Sequence, residues 1–164
     1  MPQLNRDTRH PVSFTLNGRK VAGTAEPRML LSDFLTHEIG ITSCHVGCEH
    51  GVCGACTVLI DGLVTRGCLT LAVQADGATI ETSESLAHED GELSDLQKAF
   101  KKHHGLQCGY CTPGILMSLT AYLKDNPKPT EEEVRDMLSG HLCRCTGYVG
   151  MVRAVLDYCE TRGG

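Results

Sequence analysis

The sequence has no tryptophan and few other aromatic residues. Three phenylalanines and four tyrosines bring the aromatic fraction to only 4% of its 164 residues. Large aromatic side chains supply much of the stability of many hydrophobic cores. A chain of this length, one domain or two small ones, therefore needs another source of stability, such as a disulfide or a bound metal.

Basic clusters and long apolar runs are also missing. The chain has 15 Lys and Arg against 20 Asp and Glu, a formal net charge of −5, and contains no basic run. This argues against a nucleic-acid-binding protein, which needs a concentrated positive surface. No stretch approaches the ~18 apolar residues of a membrane span. The polar amino terminus lacks the apolar segment of a signal peptide. We therefore expect no membrane span and a cytoplasmic location.

Cysteine, in contrast, is abundant, with ten residues grouped in short clusters. Cytoplasmic thiols stay reduced, so clustered cysteines there predict metal ligands. A secreted scaffold held together by disulfides is the alternative.

The first half of the sequence has the alternation of strands and two hairpin signals. Asn17-Gly18 and Asp61-Gly62 are dipeptides that favour two-residue hairpin turns. The pattern predicts one helix over residues 27–40. It also predicts strands over residues 12–16, 20–25, 56–60, 63–68 and 78–82. Together these elements indicate an α+β domain over residues 1–82.

The second half changes to a helical period after the polar residues 83–92, which we interpret as a linker. Pro113 suits the first turn of one helix, and Thr130 with Glu133 forms a capping-box pattern for another. Residues 93–164 therefore predict an all-α domain, a small four-helix bundle.

Four cysteines of the first half have the spacing of an iron–sulfur site. They are Cys48, Cys53, Cys56 and Cys68. The first three form C-x4-C-x2-C, and with a distant fourth this is the plant-type [2Fe–2S] pattern. The loop also carries glycines at 47, 51 and 54, and glycine permits the tight turns that wrap a compact cluster.

Other interpretations of this loop stay open. Four cysteines can hold zinc, although zinc ligands usually come as two short-spaced pairs. His45 and His50 could replace two cysteines in a Rieske arrangement. Cys44 is either a spare ligand or, as we expect, a free thiol at the loop edge.

A second set of four cysteines lies in the helical half. Its members are Cys108, Cys111, Cys143 and Cys145. The first two form C-x2-C ahead of a helix, where backbone amides and the helix dipole favour anionic thiolates. The last two form C-x-C between helices, a spacing that is unusual for zinc. A zinc site nevertheless remains an alternative to iron–sulfur here.

Three motifs in this order resemble a known family. "CEHGVCGACTV", "QCGYCTPG" and "CRCTGY" resemble the small iron–sulfur subunits of the xanthine oxidase family of molybdenum hydroxylases. The similarity is strongest to the separate small subunits of bacterial carbon monoxide dehydrogenase and its relatives. It covers roughly residues 10 to 160. One departure precedes the first loop, where Thr42-Ser43-Cys44-His45 stands in place of a sequence such as Thr-Gly-Thr-Lys.

The resemblance implies a ferredoxin-like β-grasp domain and a four-helix domain, each holding one [2Fe–2S] cluster through its four cysteines. It implies that Gln107 and Cys145 contact a molybdopterin, most simply its cytosine dinucleotide form. That cofactor belongs to a large partner subunit and FAD to a medium one, in a dimer of heterotrimers. The resemblance further implies that the helical-domain cluster lies nearer the pterin.

The resulting hypothesis is an electron-transfer subunit without a substrate site of its own. Its two clusters relay electrons from molybdenum to FAD, and the protein sets their position and potential. A free-standing ferredoxin-like carrier and a zinc-stabilised interaction module are the alternatives.

Overall fold

The amino-terminal half is built on a five-stranded mixed sheet. The computed structural model describes residues 4–162. The strands are β1 (His10–Leu16), β2 (Arg19–Ala25), β3 (Thr57–Ile60), β4 (Leu63–Arg66) and β5 (Thr79–Glu81). Their order in the sheet is β2-β1-β5-β3-β4. β1 and β5 run parallel, and the other neighbours are antiparallel.

Both predicted hairpins are confirmed. Asn17 and Gly18 have φ of 48° and 79°, and Asp61 and Gly62 have φ of 50° and 80°. Two consecutive positive φ values define a type I′ turn, whose twist matches that of the flanking strands. Each turn depends on adjacent residues only, and it fixes the register of the two strands that it joins.

One short helix lies against the sheet. α1 (Leu31–Asp33) continues as a wider, π-helical turn over Phe34–Ile39 and ends at Gly40, which has φ of 87°. Sequence analysis started this helix at residue 27, four residues too early. The reason is tertiary, since Leu30 forms an isolated antiparallel bridge with Leu71.

Four helices follow in the carboxyl-terminal half. They are α2 (Asp95–Lys102), α3 (Thr112–Asp125), α4 (Glu131–Ser139) and α5 (Val149–Arg162). The predicted capping box at the start of α4 is confirmed, with Thr130 and Glu133 exchanging hydrogen bonds. Ser94 and Gln97 form a second capping box at α2 that sequence analysis did not identify.

Apolar side chains gather into two separate cores. The first lies between the sheet and α1 and includes Val12, Phe14, Leu16, Leu31, Phe34, Leu35, Val58 and Ile80. The second is formed by the four later helices and includes Leu96, Phe100, Ile115, Leu119, Val134, Leu138, Met151 and Val155. The predicted linker contains a 3₁₀ turn, Ser83–Leu86, whose Leu86 packs against the second core.

The architecture is thus α+β, with a ferredoxin-like half and a helical half. The finer description of the helices as a regular bundle stays a prediction. Within residues 4–162, no helix is long and apolar enough to cross a membrane.

Phe34 is the aromatic centre of the first core. Its side chain is fully buried and meets Phe14 edge-on, with 5.8 Å between ring centroids. We expect Phe34→Ala to lower the free energy of unfolding by about 3–5 kcal/mol, because it removes a buried ring and leaves a cavity. Leu63→Ala, at a position 72% exposed, should change it by no more than about 0.5 kcal/mol. Denaturant unfolding measures both, and equal losses would contradict this account of the core.

Candidate metal centres

The first cysteine loop runs between α1 and β3 and turns at two of its glycines. Gly51 and Gly54 both have φ of 75°, as the predicted turns require. Gly47 does not adopt positive φ. A side chain at Gly47 would instead crowd a thiol, because its Cβ would lie 3.2 Å from Cys53 Sγ. The loop thus needs small residues both for its turns and for space around its sulfurs.

The four thiols of the first set converge as two pairs. Cys48 and Cys53 are neighbours, and so are Cys56 and Cys68. Backbone amides point at the sulfurs. The N–H groups of His50 and Cys53 each donate to Cys48 Sγ at 3.4 Å, and that of Cys68 donates to Cys56 Sγ at 3.4 Å. Amides directed at sulfur favour the thiolate form. They also tune the reduction potential of a cluster that the sulfurs bind.

The acidity of these thiols follows their surroundings. Hydrogen bonds from the Cys53 and His50 amides lower the pKa of Cys48 to about 6. Burial, followed by the neighbouring Cys56, raises the pKa of Cys68 to about 11. Without a bound cation the set therefore holds both thiolates and thiols. A cationic partner would be needed to ionise all four.

Cys44 lies in the first core rather than at the loop edge where sequence analysis expected it. Its side chain is buried, and its S–H group donates to the Cys56 carbonyl at 3.8 Å. Burial, with Cys56 and Cys68 nearby, raises its pKa to about 12. Cys44 is thus a protonated core residue behind the loop.

The two histidines of the Rieske alternative face other groups. His45 Nδ1–H donates to the Tyr110 carbonyl at 2.7 Å, and its ring stacks on that of Tyr110 with 4.5 Å between centroids. The ring of His50 turns back to the carbonyl of Cys48. Because both rings are engaged elsewhere, these contacts favour four cysteines as the ligands of the first set, rather than two cysteines and two histidines.

The second set is assembled from two segments that are distant in sequence. Cys108 and Cys111 precede α3, and Cys143 and Cys145 lie between α4 and α5. Cys145 Sγ lies 3.5 Å from Cys108 Sγ, and Cys111 neighbours Cys143. Each pair therefore takes one cysteine from each segment, which the sequence spacing alone did not indicate.

The two pairs of thiols in the second set differ in their exposure to solvent. Cys108 and Cys145 are exposed, whereas Cys111 is buried. Burial, followed by the neighbouring Cys143, raises the pKa of Cys111 to about 12. The Tyr110 amide, followed by Cys145, lowers the pKa of Cys108. One pair therefore faces solvent and the other faces the second core.

The C-x-C segment is held by a tyrosine that sequence analysis did not select. The Cys143 N–H donates to Tyr148 Oη at 2.8 Å, and Tyr148 O–H donates to the His141 carbonyl at 2.9 Å. Tyr148 itself has φ of 66°. This local network shapes the turn that presents the two thiols.

Both donor sets suit a [2Fe–2S] cluster. Thiolate is a soft ligand, and such a cluster takes four cysteines, two on each iron. The observed pairing of thiols, with amides directed at the sulfurs, matches this requirement. In the described part of the chain, no three His, Cys, Asp or Glu side chains are arranged to hold a single metal ion.

Backbone contacts join the two loops. Leu142 N–H donates to the Cys53 carbonyl at 3.0 Å, and Gly114 packs on the backbone of Gly54. His141 is 2% exposed, and its Nε2 lies within hydrogen-bond distance of Ser118 Oγ, at 2.8 Å. Burial, together with Arg66, lowers its pKa to about 4, so the ring is neutral. Sequence analysis did not identify the roles of Gly114, His141 and Leu142, since single positions of these types carry no recognisable pattern.

Gln107, the expected pterin contact, is exposed. It directly precedes Cys108, which lies beside Cys145. The structure thus brings the two residues of the expected contact to one exposed edge. Their role there stays a prediction.

The unequal acidity of Cys48 and Cys44 is testable in cluster-free protein. At neutral pH, iodoacetamide should label Cys48 well before Cys44, because thiolate is the nucleophile and Cys44 is a buried thiol. Mass spectrometry of timed digests measures both rates, and circular dichroism checks that the fold persists. Equal labelling in folded protein would show that the assigned environments are wrong.

Two family models match consecutive parts of the chain. Residues 14–87 match a 2Fe-2S iron-sulfur cluster binding domain, and residues 82–156 match a [2Fe-2S] binding domain. The matches cover the first and second cysteine sets respectively.

Similar proteins span nearly the whole chain. The nicotine 6-hydroxylase small subunit of Paenarthrobacter nicotinovorans is 55% identical over 146 residues, 89% of this chain and 87% of that protein. The xanthine dehydrogenase iron-sulfur-binding subunit of Escherichia coli O157:H7 is 45% identical over 159 residues, 96% and 98% of the two chains. The structure of quinoline 2-oxidoreductase from Pseudomonas putida 86 superimposes with a TM-score of 0.90 and 48% identity, covering 95% and 98%.

Two 2Fe–2S domain matches, high identity and near-complete coverage agree with the paired thiols seen in each half. The chain belongs to the small iron–sulfur subunits of the xanthine oxidase family of molybdenum hydroxylases.

Proposed function

We propose that this chain passes electrons, one at a time, from a molybdopterin site on a large partner subunit to FAD on a medium partner subunit. The observation that supports this most directly is the presence of two four-thiol sets, joined by direct backbone contact. A cluster-binding protein with a single redox centre would need only one set.

In this proposal each thiol pair holds one iron. Cys48 with Cys53 and Cys56 with Cys68 form the first site, and the second uses Cys108 with Cys145 and Cys111 with Cys143. When bound, a [2Fe–2S] cluster accepts and releases a single electron at a potential that its surroundings set. The amides of His50, Cys53 and Cys68 tune that potential at the first site.

Exposure of ligands at both sites supports access for two partner subunits. Cys108 and Cys145 open to solvent at one site, and Cys48 is partly exposed at the other. Exposed ligands let partner subunits approach, because electron exchange needs short separations. We assign the Gln107–Cys145 edge to the pterin-binding subunit and the Cys48 loop to the FAD-binding subunit.

The partners and the quaternary structure complete the proposal. We infer a cytoplasmic dimer of heterotrimers in which residues 1–82 and 93–164 form the two cluster domains. The pterin is of the cytosine dinucleotide form, and the substrate site lies on the large subunit. The relatives' names support separate subunits, since one is called a small subunit and another an iron-sulfur-binding subunit.

Replacing Cys145 tests the second site. We expect Cys145→Ala to lose one cluster, about half of the iron, and turnover of the complex, since a [2Fe–2S] cluster needs four ligands. Cys159→Ala is the matched control, because that thiol is buried in the second core and belongs to neither set. Iron analysis, EPR and substrate assays measure the outcome. Full activity with all iron in Cys145→Ala would overturn the ligand assignment.

Co-purification tests the partners. An affinity tag on this chain should bring down two further polypeptides, one containing molybdopterin and the other FAD. A tagged protein that elutes alone with both clusters would instead favour the free-standing carrier.

A further inference from the structure

Two thiols of the second set lie in contact at the protein surface. Cys108 Sγ and Cys145 Sγ are 3.5 Å apart, and the Cys145 S–H group donates to Cys108 Sγ. Of the ten cysteines, all of which lie in the described part of the chain, only these two are exposed. Since the sulfurs of a disulfide are ~2.05 Å apart, a movement of roughly 1.5 Å would join this pair.

The remaining thiols are shielded from solvent to a greater degree. In the second set, Cys111 is 7% exposed and its neighbour Cys143 is half-buried. In the first set, one pair of thiols is half-buried and the other pair is buried. A water-soluble oxidant attacks accessible sulfur first, and a second thiol beside that sulfur completes a disulfide. Exposure and proximity therefore coincide at Cys108 and Cys145.

The sequence by itself would suggest a different disulfide. Cys108 and Cys111 form C-x2-C, a spacing that is common in redox-active pairs. In the structure, however, Cys111 is the N-cap of α3, is buried, and neighbours Cys143. The exposed sulfur beside Cys108 belongs to Cys145 instead. The structure thus selects a cross-link between two distant segments over one within a single loop.

Protein groups hold both segments in place. The Cys143 N–H donates to Tyr148 Oη at 2.8 Å, and the Tyr148 N–H donates to Thr146 Oγ1 at 3.1 Å. On the other segment, Tyr110 O–H donates to the Val46 carbonyl at 2.8 Å. Because these contacts need no metal, we expect the two thiols to stay adjacent in a chain that has not yet received its second cluster.

We propose that peroxide joins Cys108 and Cys145 in a reversible disulfide before the second cluster is inserted. The disulfide takes two of the four sulfurs of the second set and so withholds this site from iron. The inference rests on the proposed function, because it takes the second set as a cluster site, and it adds redox control of that site's assembly. The same edge is assigned to the pterin-binding subunit, so oxidation precedes association of the subunits.

The reaction consumes one peroxide for each disulfide. Hydrogen peroxide oxidises Cys108, the sulfur that accepts the hydrogen bond, to a sulfenic acid and releases one water. Cys145 Sγ then attacks this sulfur, the S–S bond forms, and the sulfenic oxygen leaves as a second water. Two electrons pass from the pair of sulfurs to the O–O bond, which breaks. A dithiol such as dithiothreitol reverses the step by exchange and ends as a disulfide itself.

The test begins with the full chain, freed of iron without air and treated with one equivalent of hydrogen peroxide. We expect the loss of two of the ten thiols and a decrease in mass of about 2 Da, the two hydrogens removed. Trypsin cleaves after Arg144 and separates the cysteines of the C-x-C segment. Chymotrypsin cleaves after Tyr110 and separates those of the C-x2-C segment. Mass spectrometry of the double digest therefore identifies the joined pair.

Iron uptake gives the second measurement. Ferrous iron and stoichiometric sulfide are added without air or thiol, and native mass spectrometry counts the iron in chains that still hold the disulfide. These chains should bind half the iron of reduced chains, and dithiothreitol should restore the other half. Cys145→Ser should not form the disulfide. Cys159→Ser is the matched control, because that thiol is buried in the second core, and its disulfide should form as in the parent.

Other results would overturn the proposal. They are a disulfide between Cys108 and Cys111, mixed pairing among many cysteines, no thiol lost, and full iron in chains that keep the Cys108–Cys145 disulfide. Loss of the fold in the iron-free parent, seen by circular dichroism, overturns it too, because the two segments must stay in place. A fully reduced chain that binds only half the expected iron would instead contradict the proposed function. The digest of the same sample still decides the disulfide, so the two failures are distinguishable.

Discussion

The contact of backbone on backbone between Gly54 and Gly114 is the constraint on which the rest of the arrangement depends. Here the turn of the first cysteine loop meets the first turn of α3 with no room for a Cβ. Each half has its own core. The glycine contact brings the first cysteine loop against the start of α3 and so contributes to the distance between the two sets of thiols.

Electrostatics explains why the fold surrounds its thiols with amides. Four thiolates held close together repel each other, and the pKa of Cys68 at about 11 and of Cys111 at about 12 reflect burial and neighbouring sulfurs. Amide hydrogen bonds oppose this effect at Cys48, whose pKa falls to about 6. Iron binding would release the remaining protons, and the positive charge of iron would offset the repulsion between the thiolates. Metal binding is thereby coupled to the conformation of both loops.

This coupling also accounts for the unusual composition. With 4% aromatic residues, the cores consist mainly of aliphatic side chains, and each is small. Ligand loops that close around a metal group add cross-links between distant segments, such as those joining Cys108 to Cys145 or Cys56 to Cys68. A chain that gains stability in this way can function with few large side chains.

Local signals in the sequence predicted much of the structure. The Asn17-Gly18 and Asp61-Gly62 hairpins and the Thr130 capping box were identifiable because each depends on neighbouring residues only. Spacing selected the eight cysteines of the two sets, and the structure pairs them within each set, while their role as cluster ligands stays a prediction.

Long-range contacts were not predictable in the same way. The late start of α1 depends on the Leu30–Leu71 bridge, and the burial of Cys44 depends on how the first core closes. The contact between the two halves involves Gly54, Gly114 and His141, which lie far apart in sequence and resemble ordinary turn or surface residues there. Only the packed structure shows that they touch.

The most direct test of the account is an EPR spectrum of the dithionite-reduced full chain, with iron and acid-labile sulfide counted per polypeptide. Eight thiolate ligands in two sets predict about four irons, a matching amount of sulfide, and two distinct S = ½ signals. A single signal with half the iron, or zinc in the second set, would contradict the account.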